Sequence, residues 1–178
     1  MEPSILGAVE ALETERLTGR PPREADFDLL HGLHRDPRAM ATLGGLRDAE
    51  QTRFFLEMFV DHWQLQGFGT WMLFERESGA FAGRGGLRRL EILGRPEVEV
   101  LYAFLPAFWG RGLATELARA SIEVAFRDLG LANLVALTLR TNRASQRVMQ
   151  KAGFRYDRDF TYADRPHVLY RLRATAEG

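Results

Sequence analysis

The stretch that most limits the architecture is EVEVLYAFLPAFWGRGLATELARASIEVAFRDLG, residues 97–130. Its first ten residues are rich in Val, Leu and aromatics, so they read as a largely buried strand that Pro106 ends. Gly110 and Gly112 flank Arg111. A helix is expected over 113–130, with Leu113, Leu117, Ala120 and Val124 on one face and Gly130 as its stop. NLVALTLRT, residues 133–141, reads as a second buried strand. Strand, helix and strand in this order demand a crossover and a parallel pair.

The flanks add antiparallel material. ALETERLTG (11–19) reads as a first strand, ended by Pro21 and Pro22. Ala25, Leu29, Leu30 and Leu33 recur at helical spacing, and Asp36-Pro37 closes that segment. Asp48, with Gln51 three positions on, caps a long helix whose apolar face is Phe55, Met58, Phe59 and Trp63; Gly67 and Gly69 end it. TWMLFERE (70–77) and AFAGRGGLRRLEI (80–92) form a hairpin whose glycines suggest a bulge. Gly94-Arg95-Pro96 makes the next turn. Asn142 caps a helix that ends at Gly153, and strands follow near 154–161 and 166–173. The order β-α-α-β-β-β-α-β-α-β-β predicts an α+β fold in three layers, α/β/α, with helices on both faces of a mixed sheet of about seven strands. A single domain over 11–173 is expected, with an N-terminal arm (1–10) and a C-terminal tail (174–178).

Charge excludes several functions. Lys plus Arg equals Asp plus Glu at 24 each. Zero net charge argues against nucleic acid or a membrane surface as partner. No cysteine exists among the 178 residues, which removes thiolate metal sites and cysteine nucleophiles. The acidic N-terminus lacks a signal-peptide pattern, and no apolar run reaches the ~18 residues of a membrane span. A cytoplasmic protein is expected.

Glycines before a helix N-terminus let a phosphate approach unpaired N–H groups at the positive end of the helix dipole. Residues 110–115 therefore read as an anion cradle, with Thr115 adding a hydroxyl and Arg111 a charge. A plain strand-to-helix turn fits the same residues. There is no G-K-[ST] of a P-loop, and Glu116 breaks the dinucleotide fingerprint.

FLPAFWGRGLATELA, followed by NRASQRVMQKAGF, resembles the acetyl-CoA site of the GNAT superfamily of N-acetyltransferases. LETERLTGRPPREADFDLLHGLHRDPRAM, GTWMLFERESGAFAGRGGLRRLE and PHVLYRL are similar to its RimJ/RimL-type branch, so the resemblance spans roughly residues 11–173. It implies a GNAT-like, mostly antiparallel sheet whose parallel pair splays. It also implies acetyl-CoA as cosubstrate, no metal, and direct transfer to a primary amine. Tyr102, Ala103, Phe104 and Leu105 would hold the pantetheine through their backbone. Gly110, Arg111, Gly112, Leu113, Ala114 and Thr115 would hold the pyrophosphate. Asn142 would lie beside the pantetheine, although on spacing alone it is an ordinary helix cap.

The resemblance places a base, acting through water, at Glu99; an edge-facing or arginine-paired glutamate is the alternative, and Glu97 is a rival nearer the turn. Many members place a tyrosine proton donor where this chain has Met149. Ser145 is the substitute, and on spacing alone it is a solvent-facing helix residue. Trp109 stands where the family usually has Gln or Arg. His167 falls near the expected acceptor groove, His31 and His34 read as surface residues, and Arg143 and Arg147 could meet the coenzyme's adenosine phosphate.

The acceptor is a peptide N-terminus or a small-molecule amine. An α-amine costs about 3 kcal/mol less to deprotonate at pH 7 than a lysine, which favours the former type of amine. Asp157, Asp159 and Asp164 would favour a polycation if they lined the groove. A non-catalytic acyl-CoA-binding or sensing module is the alternative from another class.

Overall fold

The computed structural model describes residues 9–175. Residues 1–8 of the expected arm and 176–178 of the expected tail lie outside them. One sheet of eight strands carries the molecule: β1 (Leu12–Glu13), β2 (Leu17–Arg20), β3 (Thr70–Glu75), β4 (Phe81–Ile92), β5 (Arg95–Phe104), β6 (Asn133–Leu139), β7 (Arg155–Tyr162) and β8 (Arg165–Arg173). Their order is β1-β2-β3-β4-β5-β6-β8-β7. All pairs are antiparallel except β5 with β6. Helices α1 (Phe27–His34), α2 (Pro37–Met40) and α3 (Ala49–Gln66) pack on one face; α4 (Leu113–Glu123) and α5 (Arg143–Lys151) pack on the other.

The extra strand comes from residues 11–19, which fold as a hairpin instead of one strand. Thr14 turns the chain: its N–H donates to Leu17 O at 2.9 Å, and its hydroxyl accepts from Leu17 N–H at 3.0 Å. Asp36-Pro37 does not merely end α1. Asp36 Oδ1 accepts from the N–H groups of Arg38 and Ala39, both at 2.9 Å, and Pro37 takes the first helical position of α2, where no N–H is needed. The helix expected to reach residue 130 leaves α geometry at Val124, where a π turn begins, and Leu129 N–H donates to Val124 O at 3.0 Å.

The β4–β5 and β7–β8 hairpins close through two-residue turns with positive φ at both positions, Leu93-Gly94 and Ala163-Asp164, the hand that matches strand twist. Arg95 and Pro96, read from sequence as turn, thus belong to β5. The expected bulge lies between Gly83 and Phe81 of β4, where the register against β3 shifts.

Side-chain alternation along β5 sorts the two layers. Val98, Val100 and Phe104 join the larger core with Leu117 of α4 and Met149 of α5. Ala103 joins Leu30, Leu33 and Phe59 under α1 and α3. Gly85 lets α4 lie close on the sheet, since a Cβ there would sit 2.5 Å from Leu117 Cδ2. The parallel strands β5 and β6 pair at one point, Glu99 against Val135. Beyond it they splay, leaving an opening between the strands that follow.

Candidate active site

The opening is lined by peptide groups that the sheet leaves free. Leu105 N–H donates to Ala82 O at 2.9 Å, so Leu105 and, by alternation, Ala103 turn their peptides toward β4. Tyr102 and Phe104 turn theirs toward the gap. Of the four strand residues expected to present free backbone groups, two therefore do so. The Phe104 carbonyl is occupied, because Trp109 Nε1–H donates to it at 2.8 Å. That bond explains the tryptophan: it closes the end of β5, while Arg38 of α2 stacks 5.2 Å from its ring.

The turn after β5 bares a row of donors. Gly110 and Gly112 have φ of 71° and 79°, a left-handed conformation that glycine adopts without strain. Gly112 stands at the N-cap of α4, and the first backbone bond of that helix runs from Glu116 N–H to Gly112 O at 3.1 Å. None of the N–H groups from Gly110 to Thr115 donates to a backbone carbonyl. Leu113 buries its side chain in the core, and Ala114 packs partly against it. The Arg111 side chain does not point along this row; it pairs with Glu75.

A residue that sequence reading passed over holds the turn in place. Arg16 NH1 donates to Arg111 O at 2.6 Å, and Arg16 Nε to Glu116 Oε2 at 2.8 Å. Thr14 Oγ1 also donates to Glu116, at 2.6 Å. Burial opposes ionisation of Glu116, yet these bonds and the Arg16 charge hold its carboxyl below the usual range. The signal was a Thr-x-Arg next to a strand, too common to notice without the contact across 100 residues.

Two titratable pairs flank the gap on opposite faces. On the α1–α3 face, Arg88 and Glu99 stand opposite each other in the β4–β5 ladder. Arg88 Nε and NH2 donate to Glu99 Oε2 at 3.0 and 2.5 Å. Glu99 is 4 % exposed, so it is a buried, arginine-paired carboxylate, not an edge-facing one. Both bonds end on Oε2; Oε1 accepts none and is not among the sealed polar atoms. The Glu99 charge, then Tyr162, hold the Arg88 guanidinium above its ordinary value against burial. Glu97, the rival, is taken up by Arg171 at 2.8 Å and Asn133 at 2.9 Å.

On the α4–α5 face, Tyr102 Oη lies 2.8 Å from Ser145 Oγ, and either hydroxyl can donate. Burial pushes the Tyr102 phenol up to about 12, a Ser145 bond opposing and the Glu99 charge assisting. Asn142 is spent on structure: Oδ1 accepts from Ser145 N–H at 3.2 Å, and Nδ2 donates to Thr138 Oγ1 at 3.0 Å. Met149 is buried in the core. A phenol thus reaches the gap from strand β5 rather than from the helix where the resemblance looks for one.

His31 and His34 share a hydroxyl. Their Nδ1 atoms lie 3.1 and 3.0 Å from Thr52 Oγ1. His34 is fully buried, contrary to the surface position expected, because α1 turns that side toward α3. Arg47 donates to His34 Nε2 at 3.0 Å, so the imidazole is neutral with its proton on Nδ1. Burial pushes it down to about 3, assisted by Arg47, Arg84 and His31. The unfolded chain therefore binds one more proton between about pH 6.5 and 3. Stability contributed here is complete above pH 6.5 and falls as pH drops through that window, by up to about 1.4 kcal/mol per unit. Denaturant melts at pH 7, 6 and 5 should show this slope, and His34→Gln should flatten it; equal slopes would clear His34.

His167 Nδ1 binds Arg165 O at 2.9 Å, and its ring sits against Phe160 and Tyr162 beside Arg88. Arg143 and Arg147 are exposed on α5. Asp157 pairs with Arg171 and Arg158, and Asp159 with Tyr156 and Arg140. Among the described residues no group of three or more His, Asp or Glu could hold a metal ion, and no helix is long and apolar enough to cross a membrane.

The fold recurs among known proteins. A family model described as the acetyltransferase (GNAT) domain matches residues 16–155. The chain belongs to the GNAT acetyltransferase family. Uncharacterized protein YkkB of Bacillus subtilis (strain 168) is 29% identical over 170 residues, 95% of this chain and 99% of that one. The crystal structure of an acetyltransferase from Agrobacterium tumefaciens str. C58 is 28% identical, with 98% and 100% of the two chains covered and a TM-score of 0.82. RimL, a ribosomal L7/L12 alpha-N-protein acetyltransferase solved in complex with coenzyme A, shares the fold at 18% identity, with 94% and 100% covered and a TM-score of 0.79. In this GNAT acetyltransferase Glu99 stands on one face of the sheet and the Tyr102–Ser145 pair on the other.

Proposed function

We propose that the protein transfers an acetyl group from acetyl-CoA directly to a primary amine, with Glu99 and Ser145 as its catalytic residues. The observation that carries this reading is the pair of free hydrogen-bonding edges: unbonded N–H groups at 110–115 and, on the outward side of β5, the Tyr102 peptide and the Phe104 N–H. Both suit a molecule with a diphosphate at one end and amide groups along its arm. The solved RimL contains coenzyme A on the same fold, which supports the assignment.

Glu99 Oε1 takes a proton from the attacking amine, directly or through one water. The nitrogen bonds to the thioester carbon, and the free peptide N–H groups of β5 stabilise the oxygen as it gains charge; one such donor is worth ~2.7–4 kcal/mol. When the Tyr102 phenol donates to Ser145 Oγ, the serine proton is free to point into the gap. It passes to the departing sulfur as the C–S bond breaks, leaving the amide and the coenzyme thiol, and the proton taken up by Glu99 returns through water to Ser145 Oγ, so that both residues end as they began. With no cysteine in the chain, no acyl-cysteine stage is available. The acceptor is a peptide N-terminal α-amine or a small-molecule amine.

Release of free thiol from acetyl-CoA, with and without a panel of amines, tests this. Amine-dependent release is expected. Coenzyme binding with no release above the buffer rate for any amine would support a binding or sensing module instead.

A further inference from the structure

Beneath α1 and α3 the protein holds positive charge that it does not neutralise. Arg84 lies on β4 opposite Ala103, on the same sheet face as Arg88 and Glu99. It is 6 % exposed, and its Nε is sealed from water with no hydrogen-bond partner. Its guanidinium stacks 5.5 Å from the Phe59 ring, which supplies no formal charge. Arg47 donates to neutral His34 and to Leu43 O, and sits 3.9 Å over Phe55. None of the ion pairs among the described residues includes Arg84 or Arg47. Glu99, opposite Arg88 in the ladder, is committed to it, and the other buried carboxylates, Glu97 and Asp26, are committed to Arg171 and Arg20. Arg84 and Arg47 are therefore left without a carboxylate among the described residues.

A lone buried cation costs several kcal/mol unless an anion meets it. Burial, then Arg47 and Arg88, push the Arg84 guanidinium down to about 9, the direction expected of crowded like charges. Arg47 is lowered too, by burial and by Arg88. Arg47 also lines an open groove of about 590 Å³ together with His31, Arg35, Leu46 and Asp48, so one of these guanidinium groups borders the surface.

We propose that the acceptor amine also carries an oxyanion, a carboxylate or a phosphate, which binds Arg84 together with Arg47 and Arg88. This rests on the acetyltransfer reading and narrows its substrate. A polycationic acceptor such as a polyamine or aminoglycoside is disfavoured by the same field, and of the three acids that could have drawn one, Asp157 is paired with Arg171 and Asp159 with Arg140, which leaves Asp164 in the β7–β8 turn. Arg84 is then a specificity residue: it holds the far end of the acceptor while Glu99 receives the proton.

The experiment compares matched acceptors by thiol release. C-terminally amidated peptides with N-terminal Glu and Gln, β-alanine against β-alaninamide, and phosphoethanolamine against ethanolamine separate charge from shape, and carboxylate from phosphate. In at least one pair the anionic member should show kcat/KM ten-fold or more above its neutral partner. In Arg84→Met that ratio should fall toward one, with KM for acetyl-CoA unchanged. Glutarate should raise the melting temperature of the wild type and inhibit competitively with the amine; glutaramide should do neither. Arg84→Met should melt at or above the wild-type temperature, since it removes a buried unpaired charge.

Equal rates within every pair, or a ratio that survives Arg84→Met, would overturn the proposal while leaving acetyltransfer standing. A rise in KM for acetyl-CoA alone would show that the coenzyme, not the acceptor, meets Arg84, and would also overturn it. No release with any amine would instead defeat the acetyltransfer reading. Should Arg84→Met fail to fold, glutarate and glutaramide on the wild type still decide.

Discussion

Glu99→Gln is expected to lower kcat by 10²–10⁴-fold, the usual worth of a positioned base, while the KM for acetyl-CoA persists and the melting temperature falls, because Arg88 loses its anion. Glutamine keeps the shape of the side chain and leaves an oxygen for Arg88, whose two bonds end on Glu99 Oε2. What it removes is the proton-accepting Oε1. A loss of this origin has a signature. Raising the pH supplies more free amine, so the deficit should shrink as pH rises toward the acceptor's own pKa. A weakly basic amine should suffer less than a strongly basic one. If the variant turned over within three-fold of wild type, Glu99 would be no more than the partner of Arg88, and the proton would have to leave by water alone.

Gly112→Val should weaken coenzyme binding by 10²–10⁴-fold with a much smaller effect on the unliganded fold. At φ of 79° a side chain costs roughly 1–2 kcal/mol, more for a β-branched one. The nearest atom to an added Cβ is Arg16 NH2 at 3.5 Å, so the apoprotein has room for it. The penalty appears when a diphosphate needs that space. Losing two charge-assisted backbone bonds costs about 3–6 kcal/mol, which is the expected change in affinity. Gly130→Val is the control: it strains a similar φ of 63° at the far end of the helical segment, with open space around it. Titration of acetyl-CoA by calorimetry reads both. Equal affinities for wild type and Gly112→Val would remove the cradle from this turn.

The two largest effects therefore fall on residues that the sequence already singled out, while the specificity test falls on one it did not. That division has a physical cause. A glycine at a helix entrance, an asparagine three residues before the serine whose N–H it accepts, and apolar residues at period two or near 3.6 are demands of the local backbone. They appear in neighbouring letters. So the crossover of β5, α4 and β6, the cap at Asn142 and the turn at 110–112 could all be read in advance. The hairpin at 12–20 and the short α2 are not legible in the sequence, because two hydrogen bonds at Thr14 and two at Asp36 decide them, against segments equally able to run straight or stop.

Burial and pairing of charge are different in kind. Glu99 could be seen as odd among its apolar neighbours, but its partner Arg88 lies across a hairpin, and only the register of β4 against β5 brings them together. Arg84 reads as one of many arginines until Phe59, Ala103 and α1 close over it. Tyr102 shows only a backbone role until α5 sets Ser145 beside its hydroxyl. The sequence by itself determined the strand–turn–helix that can hold a diphosphate and the two-layered patterning that builds the sheet. Tertiary structure alone decided which cations stay unneutralised and which hydroxyls meet, because electrostatic energy depends on distance and dielectric, and folding sets both between residues far apart in the chain.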